Sequence, residues 1–97
     1  MTTSLGQRLC TLHQVTVVGV PACHFCDDAH TVLDRLAALD RIVLNTVDAE
    51  SIEGQHLLGT HRPAMFPLVF VDGEFLSAGR LSRHRLANAL DLAASEL

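Results

Sequence analysis

Ninety-seven residues, 48% of them apolar, suffice for one domain around one core and leave no room for a second. The net charge is −4, every basic residue is Arg, and there is no Trp or Tyr, so the cationic, aromatic-rich surface used in nonspecific nucleic-acid binding is excluded. No stretch approaches the ~20 apolar residues that span a bilayer, and Met1 to Gln14 lacks the basic and then apolar pattern of a secretory leader, so a cytoplasmic protein with no membrane partner is expected.

Residues 1–14 are polar and aperiodic and read as a flexible arm, with Cys10 in it as an incidental thiol; residues 15–97 form the domain. Val15-Thr16-Val17-Val18-Gly19-Val20 has the near-continuous apolar content of a strand covered on both faces. Pro21 ends it, because proline cannot donate to a central ladder. From Cys23 the period changes. Ala29, Val32, Leu33, Leu36 and Ala37 fall at i, i+3, i+4, i+7 and i+8, the buried stripe of a helix running to about Leu39.

Arg41 to Asp48 reads as a second strand, and the intervening helix makes a parallel pair with a right-handed crossover the default. Ala49 to Leu58 reads as a short helix with Ile52, His56 and Leu57 inward and Gly59 as its stop. Pro67 to Val71 and Glu74 to Leu76 flank Asp72-Gly73 as a β-hairpin. Ser82 caps a last helix whose inner stripe is Leu86, Ala89, Leu90, Ala93 and Leu97. The order is β-α-β-α-β-β-α.

Three cysteines are too few and too odd in number for a disulfide scaffold, which favours a catalytic or metal role for the close pair Cys23 and Cys26. Cys23 sits where a strand hands over to a helix. The first N–H groups of a helix lack intrahelical acceptors and hold a cysteine there toward the thiolate. Asp27 and Asp28 in the same turn oppose that effect. Cys26, one turn on, is placed to attack a mixed disulfide at Cys23, so the pair reads as a dithiol redox centre. Two alternatives stay open: a zinc or iron–sulfur site, for which His30 is the only nearby third ligand, and a pair of inert thiols. His24, between the cysteines, is either solvated or a cation favouring the Cys23 thiolate. Arg80, Arg83, His84 and Arg85 cluster where the last helix begins, as a solvated face or, with Arg62, as an anion or acidic-partner site.

Cys23-His24-Phe25-Cys26 after the first strand, with Phe66-Pro67 opening a hairpin about forty residues later, resembles the thioredoxin fold and, within it, the small glutaredoxin-like proteins. The resemblance covers nearly all of Val15 to Leu97. It implies an α/β domain with a central mixed sheet and flanking helices, acting as a thiol–disulfide oxidoreductase in cellular redox homeostasis. It makes Cys23 the nucleophile, Cys26 the resolving thiol and Pro67 a cis-proline that turns the Phe66 backbone toward substrate. His24, Arg62 and Arg80 are further substrate-binding candidates. No tightly bound cofactor is implied. Disulfide-containing proteins or low-molecular-weight thiols are the expected partners, with glutathione, another small thiol or a thiol reductase as reductant. Glutathione-binding relatives carry a basic residue before the motif, a Gly-Gly pair after the hairpin and an acidic residue beyond. Here stand Gly19-Val20-Pro21-Ala22, Ser77-Ala78 and Gly79-Arg80, so glutathione itself is expected to bind poorly. A metal or iron–sulfur carrier, or a noncatalytic adaptor of the same fold, is the alternative function.

Overall fold

The computed structural model describes residues 12–60 and 65–92. Cys10, Arg62, Pro63, Ala93 and Leu97 lie outside the described residues. Among the described residues seven elements follow in the expected order: β1 His13–Gly19, α1 His24–Ala38, β2 Ile42–Asp48, α2 Ile52–Thr60, β3 Leu68–Val71, β4 Glu74–Ala78 and α3 Arg83–Leu90. The four strands make one mixed sheet in the order β2-β1-β3-β4. β1 runs parallel to β2, from His13 opposite Ile42 to Gly19 opposite Asp48, and antiparallel to β3, from Val15 opposite Val71 to Val18 opposite Leu68. No described helix is long and apolar enough to cross a membrane.

β1 and β3 are central, which is why their sequences are apolar on both faces: Leu68, Val69, Phe70 and Val71 are all buried. The edge strands alternate instead, leaving Val43 and Phe75 exposed. On one face Val15, Val17, Val69 and Val71 meet Ala29, Val32, Leu33 and Leu36 of α1 and Leu86 and Leu90 of α3. On the other, Val18, Val47, Leu68 and Phe70 meet Leu57 and Leu58 of α2, with Phe66 packed against them. Leu33, Leu36 and Leu86 are at most 1% exposed, so truncating any of them to alanine removes about 2–5 kcal/mol.

The ends are set by local chemistry. α1 stops at Asp40 in the left-handed region (φ 58°), where the Arg41 N–H donates to Leu36 O at 2.9 Å. Ser82 Oγ accepts the Arg85 N–H at 3.3 Å, and α3 closes on left-handed Asp91 with the Leu92 N–H on Ala87 O at 2.9 Å. Asp72 and Gly73 both have positive φ, 53° and 84°, as a tight turn of matching twist requires. The turn's own register pairs Phe70 with Phe75, edge to face with centroids 6.0 Å apart, and the register shifts beyond that pair, between Val69 and Phe70.

Two expectations about burial and boundaries differ from the fold. β1 begins at His13, two residues before Val15, because the hairpin turn reaches it: Gln14 N–H donates to Asp72 Oδ1 at 2.9 Å and Asp72 N–H to Gln14 O at 2.7 Å, while His13 Nδ1 lies 2.6 Å from Asp72 Oδ2. In α2, Ile52 is 92% exposed and His56 is exposed; Gly59 lies within the helix, which runs on to Thr60. α2 docks through Leu57, Leu58 and the bare backbone of Gly54 rather than through a side-chain stripe.

The Asp72 carboxyl is held below its ordinary range, first by the Gln14 N–H and then by the His13 hydrogen bond. A carboxyl lowered on folding contributes stability that is complete above its unfolded value, about 3.9, and is lost as pH falls through the lower folded value. The site is exposed, so Asp72→Asn is expected to cost under about 1 kcal/mol at pH 7, and nothing once acid has protonated the carboxyl. Urea titrations of both proteins across that range check this; a difference that does not change with pH contradicts it.

Candidate functional site

The site is assembled where β1 gives way to α1. Beyond Gly19 the chain turns through exposed Pro21 and Ala22, the latter left-handed (φ 53°), and enters α1 with Cys23 as the N-cap. Cys23 has extended backbone (φ −113°, ψ 110°), its carbonyl accepts the Asp27 N–H at 3.1 Å, and its Sγ accepts the Cys26 N–H at 3.1 Å. A sulfur therefore does the work that serine or aspartate oxygen does at most helix starts. A thiolate makes that hydrogen bond stronger than a thiol does.

Cys26 is 7% exposed and packs inward on the α1 face, whereas Cys23 is half-buried. The two sulfurs are bonded as a disulfide, with Cα atoms 5.1 Å apart, inside the normal span for such a bridge. Opposite them, the Phe66–Pro67 peptide is cis, as the resemblance implied, and Phe66 O lies 3.8 Å from Cys23 Sγ. Pro67 is fully buried and its carbonyl accepts the Gly79 N–H at 2.9 Å, tying the start of β3 to the end of β4. Cys23, Cys26 and the Phe66–Pro67 peptide thus stand together.

The other candidates take different places. The His24 side chain is 84% exposed and sits 3.7 Å from Asp28 Oδ2, one turn along the helix, with its ring tilted against Phe25. Arg80 is exposed on the rim of a groove of about 540 Å³ whose walls include Asp28, Val32, Arg83 and His84. His30, the third metal-ligand candidate, lies 3.2 Å from Asp34 Oδ1. Among the described residues no three His, Cys, Asp or Glu side chains are grouped to hold a metal ion.

One residue of the site was not singled out by the sequence. Gly19 has no positive φ to explain it, but a Cβ there would stand 3.1 Å from Cys26 Sγ and 3.7 Å from Cys26 Cβ. A lone glycine inside an apolar strand is the signal, since it marks a close approach. In the disulfide Cys26 Sγ is fixed by its bond to Cys23; in the dithiol it is free to turn away. Gly19→Ala is therefore expected to disfavour the bridge. With overpacking of about 1 kcal/mol, equilibrium against a dithiothreitol couple moves about fivefold toward the dithiol. An unchanged equilibrium constant contradicts this role.

No protein-family model matches the chain, and no curated protein does. Solved structures do. The chain is similar to a malarial protein at 19% identity and a TM-score of 0.61, over 82% of this chain and 94% of that one. It also aligns with the first two thioredoxin domains of Eps1p from Saccharomyces cerevisiae (16% identity, TM-score 0.43, 98% of this chain and 44% of that one). The same two domains from Naumovozyma dairenensis give 14% identity and a TM-score of 0.49, over 92% of this chain and 39% of that one. This chain thus spans less than half of either Eps1p chain. The architecture itself is decisive: a β2-β1-β3-β4 sheet with β1 and β2 parallel, a Cys-x-x-Cys capping the first helix, and a cis-proline opening the hairpin opposite it are the thioredoxin fold.

Proposed function

We propose that the protein is a glutaredoxin-like thiol–disulfide oxidoreductase acting on disulfides in extended protein segments, in a reducing compartment such as the cytoplasm. The observation that carries the reading is the Cys23–Cys26 pair at bonding distance, with the outer sulfur on the N-cap of α1 and facing Phe66 O.

In this reading the Cys23 thiolate attacks one sulfur of the substrate disulfide, and the other sulfur leaves as a thiolate. Cys26, once deprotonated, attacks Cys23 Sγ in the mixed disulfide, and the second substrate sulfur leaves. Two electrons have then passed to the substrate, its two thiolates take up two protons, and the Cys23–Cys26 bridge remains. A small thiol such as glutathione, or a thiol reductase, returns the bridge to the dithiol. No bound cofactor takes part. Phe66 offers its backbone to the substrate chain as a short strand addition, and Arg80 a guanidinium to a carboxylate. His24, next to Cys23 in the chain, offers an exposed imidazole to the substrate.

Protein disulfides are favoured over glutathione mixed disulfides because the contacts that would hold the tripeptide's two ends have no counterpart at Val20, Ser77-Ala78 and Gly79-Arg80. Each missing charge-assisted contact is worth roughly 1.5–3 kcal/mol, so two lower affinity a hundredfold or more. Turnover of a peptide with an intramolecular disulfide, compared with the same peptide glutathionylated, tests the proposal. Faster turnover of the intramolecular disulfide is expected. A strong preference for the glutathionylated form contradicts the substrate assignment, and turnover of neither contradicts the activity.

A further inference from the structure

The cations at the start of α3 are placed against their own stability. Arg83, His84 and Arg85 occupy its first turn, where the N–H groups already present partial positive charge. Among the described residues none of Arg80, Arg83 and Arg85 forms an ion pair, in a chain whose acidic residues outnumber its basic ones by eleven to seven. Arg80 and Arg83, without an ion-pair partner among the described residues and both on the walls of a groove of about 540 Å³ in a net-acidic molecule, call for an anionic partner from outside.

Both walls of the groove belong to segments that lead to the dithiol. On α1, Asp28 is five residues beyond Cys23, about 7.5 Å along the helix axis. On the other side Arg80 follows Gly79, whose N–H bonds Pro67 O at 2.9 Å, next to the Phe66 carbonyl that faces Cys23. Among the described residues Asp28 is the one acidic group on the groove wall, and His24 lies 3.7 Å from it. Arg80 and Arg83 outnumber it and leave the groove cationic.

We infer that this groove docks an acidic segment of the disulfide substrate, with carboxylates seated on Arg80 and Arg83. The inference rests on the oxidoreductase reading and names its substrate class. An extended chain covers about 3.3 Å per residue, so acidic residues two to four positions from the substrate cysteine reach the groove while the cysteine lies at Cys23. Planar guanidinium forks suit such carboxylates.

Three peptides with one shared intramolecular disulfide, carrying Glu-Glu, Ser-Ser or Lys-Lys three positions from the attacked cysteine, provide the test. At low ionic strength kcat/KM is expected to fall in that order, by about tenfold or more between the extremes, through KM, and the spread should shrink with added salt. Arg83→Glu should narrow or invert the order. Glutamate in the first turn of α3 suits the dipole, so this variant should melt no lower than the parent, and its altered preference cannot come from unfolding. Equal turnover of all three peptides overturns the docking inference and leaves the reductase reading standing. The same three peptides in glutathionylated form complete the test: faster turnover of these regardless of peptide charge overturns the inference by giving the groove to a small thiol. No turnover of any peptide overturns the reductase reading and the inference with it.

Discussion

Cys23→Ser is expected to abolish disulfide reduction, a loss on the order of a thousandfold or more, whereas Cys26→Ser should leave the first attack intact and accumulate a mixed disulfide at Cys23. The asymmetry follows from where the helix places each sulfur. Cys23 caps α1 from outside its first turn, half-exposed, and its sulfur receives the Cys26 N–H. Cys26 is 7% exposed and reaches only what is already joined to Cys23. As an intramolecular group at bonding distance, it would resolve a mixed disulfide, in the proposed reaction, at an effective concentration no external thiol matches. Without it the adduct waits for a second thiol. Intact-mass measurement after mixing with a disulfide peptide shows one peptide bound to Cys26→Ser and none to Cys23→Ser; the reverse pattern would exchange the two roles.

The largest effect on stability is expected at Gly54. A Cβ there would overlap Asp48 O and stand 2.9 Å from the Ala49 backbone. That carbonyl already accepts the Ser51 N–H at 3.0 Å and the Ser51 hydroxyl at 2.7 Å, so it has little freedom to move aside. Gly54→Ala should therefore cost about 3 kcal/mol, lowering the melting temperature by roughly 10–20 °C, although alanine is the better helix former. Gly59, in the same helix, has nothing within 4 Å of its would-be Cβ, and Gly59→Ala should raise stability by about 0.5–1 kcal/mol. Thermal unfolding of the two variants separates packing from propensity: a gain at both positions would mean that α2 does not lie against Asp48 as described. The consequence reaches the dithiol, because Leu57 and Leu58 of α2 share a core with Phe66.

These two glycines also show where the sequence is legible and where it is not. The α1 stripe, the Asp72-Gly73 hairpin and the Ser82 cap were readable because each depends on neighbours a few residues apart, and all three stand as read. The parallel β1–β2 pair followed from the handedness of a helical crossover. α2 was misjudged at Ile52 and His56 because its docking element is an absent side chain, and Gly54 carries no hydrophobic signal. The early start of β1 depends on Asp72, 58 residues from Gln14, which no local pattern relates to it. At the site, the close cysteine pair was legible from its spacing at a strand-to-helix junction, and the cis Phe66–Pro67 peptide only through the family resemblance. Gly19 was not, because its meaning is a distance to Cys26 Sγ. Arg62 lies outside the described residues.

The account turns on Cys23 being the reactive sulfur of a working dithiol. Competitive alkylation of the fully reduced protein near neutral pH, read by peptide mapping so that Cys10, Cys23 and Cys26 are followed separately, tests this most directly. The N-cap position predicts that Cys23 is labelled first and that prior oxidation to the Cys23–Cys26 bridge protects it. Faster labelling of Cys26, or labelling of Cys23 no faster than that of Cys10, would contradict the account.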